Sequence, residues 1–88
     1  MMIPTVHLNG TSKNELLAQV EEAQRGVSVA LRAMSSAAPN GRDYYPQGPS
    51  AYAEAEREHL ARVNKLVDVR QELLALYEAI ADGGWRRP

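Results

Sequence analysis

One helix-breaking stretch divides the chain into two helix-forming halves. Residues 39–49 read Pro-Asn-Gly-Arg-Asp-Tyr-Tyr-Pro-Gln-Gly-Pro, whereas the segments on both sides are rich in Ala, Leu and Glu. Proline lacks a backbone N–H and disfavours helical geometry in the residue before it, so a helix does not continue through this stretch. Helices joined by a short connection pack side by side and antiparallel. The sequence therefore predicts an all-α fold, a long antiparallel helical hairpin whose loop spans residues 39–49.

The first helix has a clear start signal. Ser12 followed three residues later by Glu15 is typical of a capping box, and apolar Leu16 comes directly afterwards. We predict a helix over about residues 13–38, weakened by Gly26, which costs about 1 kcal/mol relative to alanine. Its apolar seam advances in alternating steps of four and three residues. The seam comprises Leu16, Val20, Ala23, Val27, Ala30, Met34 and Ala37, and it is widened by Leu17 and Leu31.

The second helix carries more apolar surface than one partner helix can cover. We predict that Ser50 is its N-cap, that it spans about residues 51–82, and that Gly83 and Gly84 end it. A facing helix covers a stripe only about 100° wide. The apolar residues fall into a first stripe (Tyr52, Val63, Leu66, Leu73, Tyr77, Ile80), a second stripe (Leu60, Val67, Leu74, Ala81) and a far flank (Val69, Leu76). The surplus predicts a helical-bundle homo-oligomer, either a dimer or a higher symmetric ring.

The two ends of the chain are short. The segment from Ile3 to Leu8 predicts either a brief strand or an extended arm across the helices, ended by a turn at Asn9 and Gly10. We expect residues 1–82 to form a single domain and residues 83–88 to form a flexible tail. At 1.5 Å per residue, the predicted second helix is about 10 Å longer than the first helix and therefore extends beyond it.

Composition narrows the class of function. The chain has no cysteine, which excludes disulfides, thiolate metal sites and cysteine nucleophiles. Its net charge of −1 disfavours a nucleic-acid partner. No apolar run approaches the roughly 20 residues that cross a bilayer, so we expect a cytoplasmic protein without membrane contact.

Catalytic and metal-binding patterns are weak. The pair Glu54 and Glu58 and the pair Glu56 and His59 have spacings that occur in metal-binding helical bundles, but solvated helix faces explain these charges better. No catalytic triad or nucleotide-binding glycine motif is present. We therefore expect a protein that is not an enzyme and has neither a cofactor nor a metal.

The loop is the strongest candidate site. It is about twice as long as a helical hairpin needs, and three prolines stiffen it. An arginine offers a planar set of donors to phosphate or carboxylate, tyrosine rings stack on a base or a peptide, and amides bind polar edges. The candidate residues are Asn40, Arg42, Asp43, Tyr44, Tyr45 and Gln47. The alternative is a packed loop whose tyrosines cover the helix ends while Arg42 pairs with a carboxylate.

A second cluster lies at the start of the first helix. Asn9, Thr11 and Ser12 stand beside the free N–H groups of a helix N-terminus, which favours an anion. Ordinary N-capping explains the same residues without a ligand, and Glu15 would repel an anion. In an antiparallel pair of subunits, however, this cluster approaches the loop of the other subunit. The two clusters together form the predicted ligand site.

Two patches resemble small proteins encoded by bacteriophages and prophages. These patches are residues 7–12, His-Leu-Asn-Gly-Thr-Ser, and residues 39–48, Pro-Asn-Gly-Arg-Asp-Tyr-Tyr-Pro-Gln-Gly, which the helices join across about the full chain. Small helical phage proteins of this size include inhibitors of bacterial defence, some of which form symmetric oligomers that sequester nucleotide second messengers. The resemblance implies a protein of the bacterial host cytoplasm that sequesters a small anionic, nucleotide-like ligand between subunits. The alternative is a structural or adaptor module whose Tyr- and Arg-rich loop binds a protein partner.

Overall fold

Two long helices form the hairpin that the sequence predicts. The computed structural model describes residues 1–83, which contain α1 (Lys13–Ser36), α2 (Ala51–Ala81) and no strand. The helices pack against each other, and the loop between them reverses the chain so that they run antiparallel. Helix α1 ends two residues earlier than predicted, because the N–H of Ala37 bonds to the carbonyl of Met34 at 3.1 Å and the N–H of Ala38 bonds to the carbonyl of Ser35 at 3.4 Å, each only three residues back. Helix α2 ends one residue earlier than predicted.

The predicted cap of α1 is confirmed. Ser12 has an extended backbone, with φ of −64° and ψ of 155°, and its Oγ accepts a hydrogen bond from the N–H of Glu15 at 3.1 Å. One of the helix's free amide groups is thereby satisfied. On the exposed surface, Arg25 pairs with Glu22 at 2.8 Å and with Glu21 at 3.4 Å. Such pairs one turn apart support a helix weakly.

The buried side of α1 is rotated from the predicted seam. Ala23 and Ala37 are exposed, whereas Gln24 and Ser28 are half-buried. The half-buried residues of α1 are Lys13, Leu16, Leu17, Val20, Gln24, Val27, Ser28, Ala30, Leu31 and Met34. Burial of a leucine side chain contributes more free energy than burial of an alanine side chain. Helix α1 therefore packs with the side that carries Leu17 and Leu31 toward α2. The alanines at 23 and 37 were wrongly predicted as seam residues.

The hairpin is a thin rod with little interior. Its principal extents are 62 × 22 × 17 Å and its radius of gyration is 19.1 Å, against about 12 Å for a compact domain of this length. Within residues 1–83, Ile80 is the one hydrophobic side chain that is fully buried. The second stripe on α2 is partly uncovered, because Leu60 is 58% exposed and Leu74 is 47% exposed. Across the residues described, neither helix is apolar enough over a sufficient length to cross a membrane.

The two ends of α2 are built differently. Ser50 occupies the predicted N-cap position, but its side chain makes no capping hydrogen bond. Its backbone is already helical, with φ of −98° and ψ of −8°, which is not the extended geometry that aims a cap side chain at the helix. At the other end, Gly83 has a φ of +66° and its N–H bonds to the carbonyl of Ile80, as expected for a glycine that stops a helix. The predicted tail beyond Gly83 lies outside the described residues.

The N-terminal segment is an arm. It has no regular secondary structure through residue 7, and Ile3, Pro4 and Val6 are half-buried. Of the two sequence-based alternatives, an arm lying against the helices fits this burial. The predicted turn follows, since the N–H of Gly10 bonds to the carbonyl of His7 at 3.1 Å.

Candidate functional site

The loop is folded into two turns of 3₁₀ helix. The first turn spans Gly41–Asp43 and the second spans Tyr45–Gln47. Asn40 caps the first turn, because its Oδ1 accepts a hydrogen bond from the N–H of Arg42 at 3.0 Å. Further bonds join the N–H of Tyr44 to the carbonyl of Gly41 at 3.1 Å and the N–H of Gln47 to the carbonyl of Tyr44 at 2.9 Å. The loop is therefore ordered by its own backbone.

Gly48 redirects the chain from the loop into α2. Its φ of +118° lies in a region that residues with a side chain rarely adopt. Its N–H still bonds to the carbonyl of Tyr45 at 3.2 Å, which closes the second 3₁₀ turn. This glycine is therefore required by the backbone and sets the angle at which the loop meets the helix.

The two adjacent tyrosines have different environments. Tyr44 is half-buried, whereas Tyr45 is 75% exposed. Arg42, Asp43 and Gln47 are also exposed. Ion pairs within residues 1–83 join Arg25 to Glu21 and Glu22, and Arg62 to Glu58, so Arg42 takes part in none of them. The packed-loop alternative thus describes Tyr44, while Arg42 and Tyr45 present their side chains to solvent.

A shallow cavity lies where the loop meets α2. It has a volume of about 150 Å³. Its lining consists of Tyr44, Gln47, Ala51, Glu54, Ala55 and Glu58. Glu58 is also 3.7 Å from Arg62 in an exposed ion pair. Because two carboxylates line the cavity, it suits a cationic or hydrogen-bond-donating group better than a phosphate.

The sequence presented Glu54 and Glu58 either as metal ligands or, more simply, as charges on a solvated helix face, and not as the lining of a cavity. Their spacing of four residues places both on one side of α2, and their position just after the loop places that side against Tyr44. The four-residue spacing of these glutamates and their position just after the loop were the features of the sequence that could have predicted this cavity. Among residues 1–83, no group of three or more His, Asp or Glu side chains is placed to hold a metal ion.

The second predicted cluster lies at the opposite end of the rod. Asn9, Thr11 and Ser12 are exposed, and the Oγ of Ser12 is engaged in capping α1. The ring of His7 folds against Gly10, since a Cβ at Gly10 would lie 2.8 Å from Nε2 of His7. All of α1 separates this cluster from the loop, a distance of about 36 Å at 1.5 Å per residue. One chain alone does not bring the two clusters together.

A tyrosine near the site has a perturbed pKa. The Glu56 carboxylate, one turn further along α2, raises the pKa of Tyr52 by repelling the phenolate, and partial desolvation raises it further. Tyr52 is 38% exposed and also lies near Gly41, whose Cβ, if present, would be 3.9 Å from the tyrosine ring. Tyr52 therefore links the first turn of α2 to the loop.

Comparisons with known proteins found no matching family model, no matching curated protein and no matching solved structure.

Proposed function

We propose that this chain is a non-enzymatic binding protein that assembles with copies of itself and holds a small anionic, nucleotide-like ligand between subunits. The observation that carries the proposal is the exposed pair of Arg42 and Tyr45 on a loop whose ordering hydrogen bonds do not use their side chains. An arginine outside any ion pair retains its full set of donors for a phosphate. An exposed tyrosine ring offers a surface on which a base stacks.

The second half of the site comes from another subunit. Asn9, Thr11 and the N-terminus of α1 supply hydrogen-bond donors and a positive dipole end, which suit an anion. They lie about 36 Å from the loop of their own chain. A second subunit that runs antiparallel brings this cluster beside the loop. In the composite site, Arg42 meets phosphate, Tyr45 covers the base, and Gln47, Asn9 and Thr11 donate or accept hydrogen bonds.

The remaining predicted residues shape the site. Asn40 and Ser12 each use a side-chain oxygen to hold the local backbone, so they position the loop and the helix start. Tyr44 and Asp43 complete the loop beside the acidic cavity. Sequestration requires the ligand to be buried between subunits on a preorganised site, and an ordered loop satisfies the second condition.

The resemblance to phage proteins suggests the source of the ligand. On the proposal, the protein acts in the cytoplasm of an infected bacterium and removes a nucleotide signal of the host defence without converting it. A titration with a panel of cyclic and linear nucleotides, followed by calorimetry and thermal shift, tests this. We expect at least one nucleotide to bind and to be recovered unchanged.

Matched variants sharpen that titration. Arg42→Ala should abolish nucleotide binding and leave the oligomer intact. Arg25→Ala removes another exposed arginine, from the middle of α1, where only surface ion pairs are lost, and this variant should bind as the unmodified protein does. If no nucleotide produces heat or a thermal shift, or if both variants bind normally, the proposed ligand is wrong.

One observation favours a second candidate, an adaptor that binds a basic peptide segment of a protein partner. The cavity beside Tyr44 is lined by the carboxylates of Glu54 and Glu58, which attract a lysine or arginine side chain. Here the decisive variant is the double change Glu54→Gln and Glu58→Gln. It should abolish partner capture if the adaptor candidate is right, and it should preserve or strengthen nucleotide binding if the leading proposal is right.

A further inference from the structure

An apolar row on α2 reads the same in both directions. At intervals of seven residues, nearly two helical turns, α2 carries Ala53, Leu60, Val67, Leu74 and Ala81. From Val67 outward, a leucine and then an alanine follow in either direction. Ala53 is exposed and Leu60 and Leu74 are 58% and 47% exposed, whereas Val67 and Ala81 are half-buried, so α1 leaves much of the row uncovered.

The neighbouring row is symmetric in position and reversed in charge. Arg57, Asn64, Gln71 and Glu78 each lie four residues after a member of the apolar row, and all four are exposed. The centre of this row falls between Asn64 and Gln71, within one residue of Val67. A basic residue stands at one end and an acidic residue at the other, with two amides between them.

We infer that this face of α2 is the docking surface for a second, antiparallel copy of the chain, related by a twofold axis at Val67. In this arrangement Leu60 packs on Leu74 of the second copy, and Val67 packs on its own counterpart. Arg57 meets Glu78 of the second copy, and Asn64 meets Gln71 of the second copy. A twofold interface requires one surface to complement itself, and these two rows do so.

The charges select the antiparallel orientation over the parallel one. In a parallel pair related by a twofold axis along the helices, the two flanking rows would lie on opposite sides of the interface, so Arg57 and Glu78 would not pair. In the antiparallel pair the two rows lie on the same side, and opposite charges at such flanking positions help to determine the orientation of a helix pair. The apolar row alone would accept either orientation, so the flanking row is the independent observation.

This interface deepens the proposed function, because it supplies the second subunit that the proposed ligand site needs. In that respect its functional role rests on the proposed function. An antiparallel pair carries the start of α1 in one copy toward the loop end of the other. Two equivalent composite sites then form, one at each end of the four-helix dimer.

Cysteine cross-linking tests the orientation, because the natural chain has no cysteine. Val67→Cys should form a disulfide-linked dimer on mild oxidation, since the two positions meet at the axis. Ala53→Cys should remain uncross-linked, because an antiparallel pair holds these positions about 42 Å apart. Val69→Cys lies on the other side of α2 and is the matched negative control. Cross-linking at both 53 and 67 would indicate a parallel pair, and no cross-linking at 67 would exclude the axis, so either result overturns the inference.

Charge reversal tests the flanking row. Arg57→Glu alone and Glu78→Arg alone should each weaken dimerisation at least several-fold, and the combined variant should restore it. Lys65→Glu makes a similar charge change on the opposite side of α2 and should leave the dimer unchanged. Circular dichroism establishes that each variant is helical. If the double variant dimerises no better than either single variant, the assigned contact is wrong.

The two proposals fail separately. Nucleotide binding by an oligomer that does not cross-link at position 67 would leave the proposed function in place and overturn this interface. Cross-linking at position 67 without binding of any nucleotide would support the interface and count against the proposed ligand.

Discussion

The Oδ1 atom of Asn40 accepts a hydrogen bond from the backbone N–H of Arg42 at 3.0 Å. This contact begins the first 3₁₀ turn and fixes the backbone that carries the arginine. The side-chain amide of Asn40 thus orders the loop, while the guanidinium group of Arg42 remains exposed. Binding by such a loop costs less conformational entropy than binding by a disordered one.

The Asn40 contact predicts that the amide of Arg42 is protected from solvent exchange. Asn40→Ala should remove the acceptor, speed hydrogen exchange at that amide and weaken ligand binding without changing the oligomer. Asn40→Asp retains an acceptor oxygen and is the control. Residue-resolved hydrogen exchange provides the measurement, and equal exchange in all three proteins would contradict the assigned role.

The two serines at helix starts should respond differently to the same substitution. Ser12→Ala removes a capping bond of 3.1 Å and should lower the free energy of unfolding by about 1 kcal/mol. Ser50→Ala should change it by less than about 0.5 kcal/mol, because the Ser50 side chain makes no capping bond. Denaturant titrations at one fixed protein concentration compare the two. Equal losses would show that Ser50 caps α2 after all.

Two glycines form a second matched pair. A Cβ at Gly26 would have no heavy atom within 4 Å, so Gly26→Ala should stabilise the helix by about 1 kcal/mol and raise Tm by about 4–8 °C. A Cβ at Gly48 would also meet open space, but the φ of +118° makes Gly48→Ala strained and destabilising by about 1 kcal/mol or more. Thermal melts at one concentration test the opposite signs. A loss of stability from Gly26→Ala would indicate that this position packs against another subunit.

Tyr52 predicts a loss of stability at alkaline pH. Its pKa in the folded protein is raised, so the folded state holds the phenolic proton more tightly than the unfolded state does. This contribution is fully present below the unfolded pKa of about 10 and is lost as the pH rises through the folded value. Tyr52→Phe should reduce the loss of unfolding free energy that occurs as the pH rises above about 10. Glu56→Gln, which removes the main cause, should reduce it too, and an unchanged profile in both variants would contradict the assignment.

The helical hairpin was predictable because its signals are local. A proline-rich break, a serine cap with Glu15 and a terminal glycine each act within one or two turns, and the structure places the helix boundaries within two residues of those predicted. Ser50 was predicted as a cap from residue type alone. Capping also depends on backbone geometry, and Ser50 lies in a turn closed by the bond from the N–H of Ala51 to the carbonyl of Gly48, where its backbone is already helical.

The facing sides of the helices and the cavity were harder to predict, because both depend on how separate elements pack against each other. A four-three repeat in α1 fits more than one seam, and only packing decides whether Ala23 or Gln24 turns inward. The cavity joins Tyr44 from the loop to Glu54 and Glu58 from α2, so it depends on how the loop meets the helix. The predicted ligand residues lie at opposite ends of the rod. They can form one site only if two subunits assemble, and this assembly stays a prediction.

The central claim is that the chain assembles with copies of itself through the apolar row of α2. Sedimentation velocity over a range of micromolar concentrations tests it most directly, with the unmodified protein compared with a double variant that combines Leu60→Glu and Leu74→Glu. We expect the unmodified protein to sediment as a dimer or larger oligomer and the double variant to sediment as a single subunit. A stable single subunit at all micromolar concentrations in the unmodified protein would contradict the claim, because the two halves of the ligand site would then never meet.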